Sequence, residues 1–262
     1  MGGGGNAVQW SAAQYAKFLG DRTRPARDLL AAVPLETPGL VADIGCGPGN
    51  STALLAERFP GAQIVGLDPD ADMIRTAQAA LPGCRFVQGD VESWRPEAPP
   101  ELIFANASLQ WVPDHRALLP HLVGLLRPGG VLAVQMPDNL DEPSHVAMHR
   151  AAGDPRWSAR LAGAAGQRRP LLSPAELHAL LRPSCARVDV WRTVYHVELG
   201  GLEGIVEWFL GSALRPYLDR LDKAERPEFL AAYRRGIAPH HPEAAGRVLL
   251  PFPRSFLVAT AA

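Results

Sequence analysis

Twelve residues do most to limit what this chain can fold into: Val41-Ala-Asp-Ile-Gly-Cys-Gly-Pro-Gly-Asn-Ser-Thr52. The short apolar run Leu40, Val41 and Ile44 reads as a buried strand that feeds a turn with glycine at 45, 47 and 49. Glycine adopts positive φ without a Cβ penalty and lets a ligand come close to the backbone. Asn50, Ser51 and Thr52 are candidate N-caps for a helix over Ala53 to Phe59. A dinucleotide fingerprint needs its third glycine at position 50, beside a pyrophosphate, and asparagine stands there. The loop therefore suits a nucleoside ligand whose other end is not a pyrophosphate, and it speaks against an NAD-dependent oxidoreductase.

Two further strand ends point the same way. Gln63-Ile-Val-Gly-Leu-Asp68 finishes in a carboxylate roughly 20 residues beyond the loop, where α/β folds grip ribose hydroxyls. A third strand, Cys84 to Gln88, runs into Gly89-Asp90. The pattern continues as strand 40–44, helix 51–59, strand 63–67, helix 70–80, strand 84–88, strand 101–106, helix 115–126 and strand 131–136. Such alternation predicts a parallel sheet with helices on both faces and right-handed crossovers. Arg127-Pro-Gly-Gly130 stops a helix before the fifth strand. From Pro137 to Pro183 prolines interrupt short helical pieces, which predicts an inserted cap. Arg187 to Val197 alternates as a sixth strand, Leu202 to Tyr233 is helical, and Ser255 to Ala259 is the final strand.

A chain of 262 residues makes one sizeable domain with a real core. Its formal net charge of −1 gives no general attraction to nucleic acid or to an anionic membrane. Lysine occurs only at Lys17 and Lys223, so arginine supplies almost every cation. Cys46, Cys84 and Cys185 are scattered, which fits a reduced cytoplasmic protein without structural zinc. His145 and His149 stand one helical turn apart but lack the glutamate of HExxH and a third ligand, so they read as core or surface histidines and no metal is expected. Met1 to Gly5 is a glycine tail and not a signal peptide, and residues 1–8 are expected to be disordered. No apolar run is long enough to span a bilayer. A soluble monomer in the cytoplasm is the expectation. Trp10 to Val33 carries aromatics and cations at helical spacing; it reads as an amphipathic helix packed on the sheet, as a lid over the nucleoside pocket, or both, with Pro25 opening a helical segment.

Taken together, Asp43-Ile-Gly-Cys-Gly-Pro-Gly49, Leu67-Asp68 and Gly89-Asp90 resemble the class I S-adenosylmethionine-dependent methyltransferases. The resemblance implies a Rossmann-like, mostly parallel seven-stranded sheet, its last strand antiparallel beside the fifth, with helices on both faces and a small helical cap. Leu102-Ile-Phe-Ala-Asn-Ala-Ser-Leu-Gln-Trp-Val-Pro-Asp-His115 narrows it. With Phe18 to Arg27, Val134 to Asn139, Trp191 to Tyr195, Leu214 to Pro216 and Pro251 to Arg254, this segment resembles the trans-aconitate 2-methyltransferases. The similarity runs from about Trp10 to the end and is weakest over 153–170. It implies one methyltransferase domain over 9–262: lid helices 9–36, a donor-binding core 38–137, a cap 138–185, and C-terminal strands and helices 186–262.

The same resemblance implies S-adenosylmethionine as donor, S-adenosylhomocysteine as product, no metal, and a small polycarboxylate as acceptor. Gly45, Gly47 and Gly49 would line the methionine and ribose, Asp68 the ribose hydroxyls, Pro69 or Met73 the adenine, and Asp90 and Val91 its edge. Asn106, Ala107 and Trp111 would border the sulfonium, with Tyr15 and Arg22 joining from the leading segment. Asp43, buried at the loop base, suits organising the loop better than touching the donor.

A carboxylate acceptor is already ionised at neutral pH, so no general base is needed and no catalytic residue is expected. A polycarboxylate does demand cations, and arginine grips carboxylates with a planar fork. The candidates are Arg22, Arg24, Arg192, Arg215 and Arg254, with Tyr195, His196 and Tyr217 as hydrogen-bonding partners, Arg192 and Arg215 foremost. Each arginine reads equally as a surface charge or an ordinary ion pair. Gln110 and Trp111 either border the acceptor or belong to the core. Two alternatives stay open: methylation of a different carboxylic or phenolic metabolite, with His196 or His145 as base for a phenol, and a donor-binding regulator without turnover.

Overall fold

The computed structural model describes residues 19–165 and 168–262, and of Leu19, Asp21, Arg22 and Ala165 only the backbone. Tyr15, the expected tail 1–8 and the start of the expected lid lie outside the described residues, as does the Arg22 side chain. Helix α1 spans Leu19–Ala31. It carries Pro25 in its interior rather than at its start, which removes one helical N–H and leaves the helix otherwise continuous.

Strands β1 (Leu40–Ile44), β2 (Gln63–Asp68), β3 (Arg85–Gln88), β4 (Leu102–Asn106) and β5 (Val131–Pro137) follow the expected order. Helices α2 (Asn50–Arg58), α3 (Ala71–Ala80) and α4 (His115–Leu125) connect them. All five strands pair in parallel, with Val41 facing Ile64 on one side and Leu102 on the other. Three short helices follow: α5 (Pro143–Ala152), α6 (Ser158–Ala165) and α7 (Pro174–Leu181). Pro143 and Pro174 sit in first turns, where a missing N–H is harmless, so these prolines open helices instead of breaking them. Ser173 and Glu176 close a reciprocal capping box at the start of α7. Then come β6 (Cys185–Leu199), α8 (Gly201–Leu210), α9 (Arg215–Leu218), α10 (Glu225–Ile237) and β7 (Val248–Ala261).

The sheet runs β3-β2-β1-β4-β5-β7-β6, with β7 antiparallel to β5 from Val131 opposite Thr260 to Pro137 opposite Arg254. The seven strands and the antiparallel insertion agree with what the resemblance implies. Strand β7 is much longer than the expected 255–259. Pro251 and Pro253 look like breakers, yet both lie beyond the last pair with β5, where no ladder N–H toward that strand is required.

Two compact units divide the chain. One holds 23–138, 168–195 and 252–262; the other holds the described residues of 19–22 and 139–167, with 196–251. In the first, Leu102, Ile103, Phe104 and Ala105 of β4 and Val131 to Val134 of β5 are buried throughout. Parallel strands covered on both faces need such unbroken apolar runs. In the second, α5 packs on α10, and Phe229 is edge-on to Trp157 at 5.9 Å and stacked with Tyr217 at 5.7 Å. Among the described residues no helix is long and apolar enough to cross a membrane.

The fully buried Phe104 ring lies on a central strand with covered faces, so Phe104→Ala is expected to lower the unfolding free energy by about 3–5 kcal/mol, read from the urea midpoint.

Candidate active site

Five parallel strands bring their carboxyl ends to one edge, and the order reverses direction between β1 and β4, where open α/β sheets leave a crevice. The loop after β1 enters that crevice with Gly45, Gly47 and Gly49 all left-handed, at φ 67°, 53° and 96°. Gly45 has a second reason to lack a side chain: a Cβ there would stand 2.2 Å from the Ser108 Cβ. Ser108, in the loop after β4, donates its hydroxyl to the Ile44 carbonyl at 2.7 Å, so the two loops are clamped together. At Gly47 a Cβ would meet nothing within 4 Å. The space beside the loop is open there.

Gly49 is itself the N-cap of α2. Ser51 and Thr52 do not cap it; their hydroxyls donate to Asp43 Oδ2 at 2.8 and 2.7 Å. Asp43 is wholly buried at the end of β1, and its Oδ1 has no hydrogen-bond partner among the described residues. Burial outweighs the two hydroxyl bonds and pushes its carboxyl up to about 6. The group ties strand end to helix start.

Asp68 closes the other side. Its Oδ2 accepts the Gly47 N–H and its Oδ1 the Asp70 N–H, both at 2.9 Å. Each oxygen keeps a lone pair for a hydroxyl, and the half-buried carboxylate is aimed by two backbone donors. Pro69 is exposed, and its carbonyl accepts from the Gln88 side chain at 3.1 Å. Asp70 caps α3 and sets Met73, half-buried, in the first turn. Asp90 is exposed and accepts the Glu92 N–H at 2.8 Å, while Val91 packs on the sheet core.

After β4 the chain turns through Ala107, a non-glycine residue at φ 53°, whose N–H donates to the Gln135 carbonyl at 2.9 Å. Gln110 is buried; its amide donates to the Ala107 carbonyl at 2.7 Å, and its Oε1 has no hydrogen-bond partner among the described residues. Asn106 Oδ1 accepts from Gln135 Nε2 at 2.6 Å, and Gln135 Oε1 accepts from Arg254 Nη1 at 3.3 Å. Trp111 is 51% exposed, with the Arg168 guanidinium 5.9 Å from its ring centre.

Of the acceptor candidates, Arg24, Arg192, Tyr195 and Arg254 share this unit with Gln110 and Trp111. Arg192 is half exposed and spans Asp138, donating Nε to Oδ2 at 2.8 Å and Nη2 to the carbonyl at 3.2 Å. Tyr195 is buried and donates its hydroxyl to Asp28 at 2.6 Å beneath Arg24; burial and then Asp28 push its phenol up. Arg254 is buried opposite Pro137. His196, Arg215 and Tyr217 belong to the other unit. There His196 is exposed, and Arg215, half exposed, meets Asp219 at 3.4 Å. Tyr217 is an aromatic-core residue whose phenol burial pushes up to about 12. His145 is buried edge-on to Phe209. Among the described residues no group of three His, Cys, Asp or Glu side chains is set to hold a metal.

Sequence reasoning overlooked Arg168 and Gln135. Arg168 lies in the stretch 153–170 where the resemblance is weakest, and its half-burial and its bond to the Pro137 carbonyl single it out. Gln135 had a signal: a lone amide inside the apolar strand Val-Leu-Ala-Val-Gln-Met-Pro, every residue of which is buried.

The methyltransferase domain family matches residues 41–130, from β1 to the turn before β5. The YcgJ protein from Bacillus subtilis superposes with a TM-score of 0.60 at 12% identity, covering 91% of this chain and 98% of that one. Haemonchus contortus phosphoethanolamine N-methyltransferase 2, solved in complex with S-adenosyl-L-methionine, gives 0.58 at 14% identity over 95% of this chain and 56% of that one. Fold and loop together define a class I S-adenosylmethionine-dependent methyltransferase. The trans-aconitate 2-methyltransferase of Methylobacterium nodulans is 57% identical over 253 residues, 96% of this chain and 98% of that one. The chain belongs to the trans-aconitate 2-methyltransferase family.

Two outcomes test the loop. Gly45→Ala and Gly47→Ala both force an L-residue into left-handed backbone, but only the first also drives a Cβ into Ser108. Gly45→Ala is therefore expected to lose about 1–3 kcal/mol more stability than Gly47→Ala by urea unfolding. For Asp43 the folded carboxyl titrates near 6, above its ordinary 3.8, so the folded state holds the extra proton between those values. The group's contribution is full below pH 4 and lost as pH rises to about 6. Between pH 4 and 7 the ligand-free wild type should fall by about 3 kcal/mol relative to Asp43→Asn, whose amide oxygen still accepts from Ser51 and Thr52.

Proposed function

We propose that this chain transfers a methyl group to one carboxylate of trans-aconitate or a closely related small polycarboxylate, with S-adenosylmethionine as donor and no metal. Bound in the crevice, the donor supplies a methyl carried on a sulfonium, and a neutral thioether leaves. An O–CH₃ bond forms as the S–CH₃ bond breaks, giving a monomethyl ester and S-adenosylhomocysteine with no proton to move. A carboxylate of ordinary pKa near 4 is already the nucleophile at neutral pH. Alignment then supplies the acceleration, up to about 7–11 kcal/mol for well-oriented partners.

The donor half of the reading rests on Asp68. Its carboxylate, aimed by the Gly47 and Asp70 N–H groups, keeps acceptor capacity for two neighbouring ribose hydroxyls. Gly45, Gly47 and Gly49 leave the backbone bare for the rest of the nucleoside. Met73 and Pro69 offer a polarisable sulfur and a flat face for the base, with Val91 and Asp90 at its edge. Asn106, Ala107 and Trp111 border the reacting sulfur. The unspent oxygen of Gln110 suits an ammonium or other N–H donor of a ligand, so the donor set fits the group it would hold. Membership of the trans-aconitate 2-methyltransferase family, at the identity given above, is the observation that carries the acceptor half.

Incubation with S-adenosylmethionine and trans-aconitate is expected to yield a monomethyl ester by mass spectrometry, with kcat flat from pH 6 to 9 because neither acceptor nor enzyme base titrates there. Absence of ester, with S-adenosylhomocysteine binding intact by calorimetry, overturns the acceptor. A rate that climbs tenfold per pH unit would instead indicate a phenol-like nucleophile.

A further inference from the structure

Among the five parallel strands, the crossovers from β1 to β2, β2 to β3 and β4 to β5 carry the helices α2, α3 and α4. The crossover from β3 to β4, residues 89–101, carries none. A parallel sheet is normally covered on both faces, and the crossover helices are its usual cover. Over the first half of β1, β2 and β3 that cover is the irregular segment 94–100, and it leaves a cavity of about 200 Å³ within the first compact unit. Leu40 and Ala42 of β1, Val65 of β2 and Val87 of β3 make the floor. They share one face because Ala42 pairs with Val65 and Val65 with Arg85, two residues before Val87. Trp94, Pro96 and Pro100 make the wall.

Leu40, Val65, Val87 and Trp94 are only half-buried, so the cavity is walled by apolar surface that gains from being covered. Its rim is charged. Arg85 is gripped by both oxygens of Glu97, at 2.8 and 2.6 Å, and that pair is neutral as a unit. Arg95 also lines the cavity and is exposed. Its Nη1 donates to the Trp94 carbonyl at 2.7 Å and meets His121 Nε2 at 3.1 Å, neither of them a carboxylate. A guanidinium has five N–H donors in a fixed plane, and those on Nε and Nη2 form the edge that takes a carboxylate side-on. The site therefore pairs an apolar chamber with one cationic fork at its mouth. The donor crevice is elsewhere. Asp68 stands three residues beyond Val65 on β2, which is about 10 Å along the strand and on the opposite face.

We propose that this cavity is a second ligand site, for a small monocarboxylic acid with an apolar body the size of one ring: the ring lies between the strand face and Trp94, and the carboxylate meets Arg95. The size follows from the volume, since an apolar cavity of about 150 Å³ accepts benzene and the remainder leaves room for a short arm. The charge follows from Arg95, for which a single carboxylate is the matching partner. A polycarboxylate such as trans-aconitate is excluded by the same floor, because its further charges would have to leave water for apolar surface. The site is independent of which acceptor the crevice methylates.

The test titrates phenylacetate into the full chain in the presence of excess S-adenosylhomocysteine and trans-aconitate. Binding is expected at one site with a Kd of about 0.1–1 mM, the range for a ligand of about ten heavy atoms. It should move the indole N–H resonance of Trp94, identified by its loss in Trp94→Phe. Phenylacetamide, the same shape without the charge, should bind about 10-fold more weakly, and Arg95→Gln should bring phenylacetate to that level. Val65→Phe, which fills the cavity from its floor, should abolish binding of both probes. Affinity for S-adenosylhomocysteine should stay within about twofold in both variants, the sign of a separate site. No movement of the Trp94 resonance overturns the proposal, as does equal affinity of phenylacetate for wild type and Arg95→Gln. Binding that appears only when trans-aconitate is withheld also overturns it, because the probe would then occupy the acceptor's place. So does a dimer that Val65→Phe disperses, since a second copy of the chain would then cover this face. If Val65→Phe fails to fold, Arg95→Gln, an exposed substitution, decides on the same readings.

Discussion

The closeness of two loops at the β1/β4 crevice is the constraint on which the rest of the site depends. Gly45 and Ser108 stand so near that no side chain fits between them, and the Ser108 hydroxyl locks the contact to the Ile44 carbonyl. That contact fixes the glycine turn relative to Asn106, Ala107 and Trp111. Asp43 holds the far end of the same turn by drawing Ser51 and Thr52 down onto the end of β1. With both ends pinned, the Gly47 N–H can aim Asp68. The loop is rigid because three elements anchor it, although its residues are the most permissive in the chain.

A buried carboxylate at the base of such a loop is a poor stabiliser and a good locator. Removing Asp43 from water raises its carboxyl toward neutrality, and the two hydroxyl bonds recover only part of that energy. What the residue provides is register: two consecutive side chains of α2 must both reach one oxygen, which sets the rotation of the helix about its axis. The seven-residue strand β5 plays a similar part on the other side of the crevice, since the carbonyl of Gln135 accepts the Ala107 N–H of the loop after β4 and its side-chain amide donates to Asn106 at the end of β4.

The sheet was legible from the chain because its central strands are covered on both faces and so read as unbroken apolar runs such as Leu-Ile-Phe-Ala. The donor edge was legible because each of its parts sits at a strand end and has a distinct residue type: glycine for left-handed turns, aspartate for hydroxyls. Capping was misread at Ser51 and Thr52, since a hydroxyl near a helix start can turn to a buried acid as readily as to an N–H. The length of β7 was misread because Pro251 and Pro253 signal a break only where a neighbour strand needs the N–H. Arg168 was invisible for a different reason. Its meaning comes from contacts with Trp111 and Pro137, 57 and 31 positions away, and no local pattern encodes that distance.

Gln135 has one further consequence. Its oxygen faces a guanidinium, which has only hydrogens to give, so its nitrogen must point the other way, toward Asn106. Asn106 in turn presents its oxygen inward and is left with its own NH₂ directed elsewhere at the end of β4. Two amides, each symmetric enough to sit either way round, are thereby forced to read in one sense from Arg254 to the crevice. A charge seated on the last strand dictates the polarity of a neutral side chain two strands from the one that carries the glycine turn, and it does so by hydrogen-bond grammar alone.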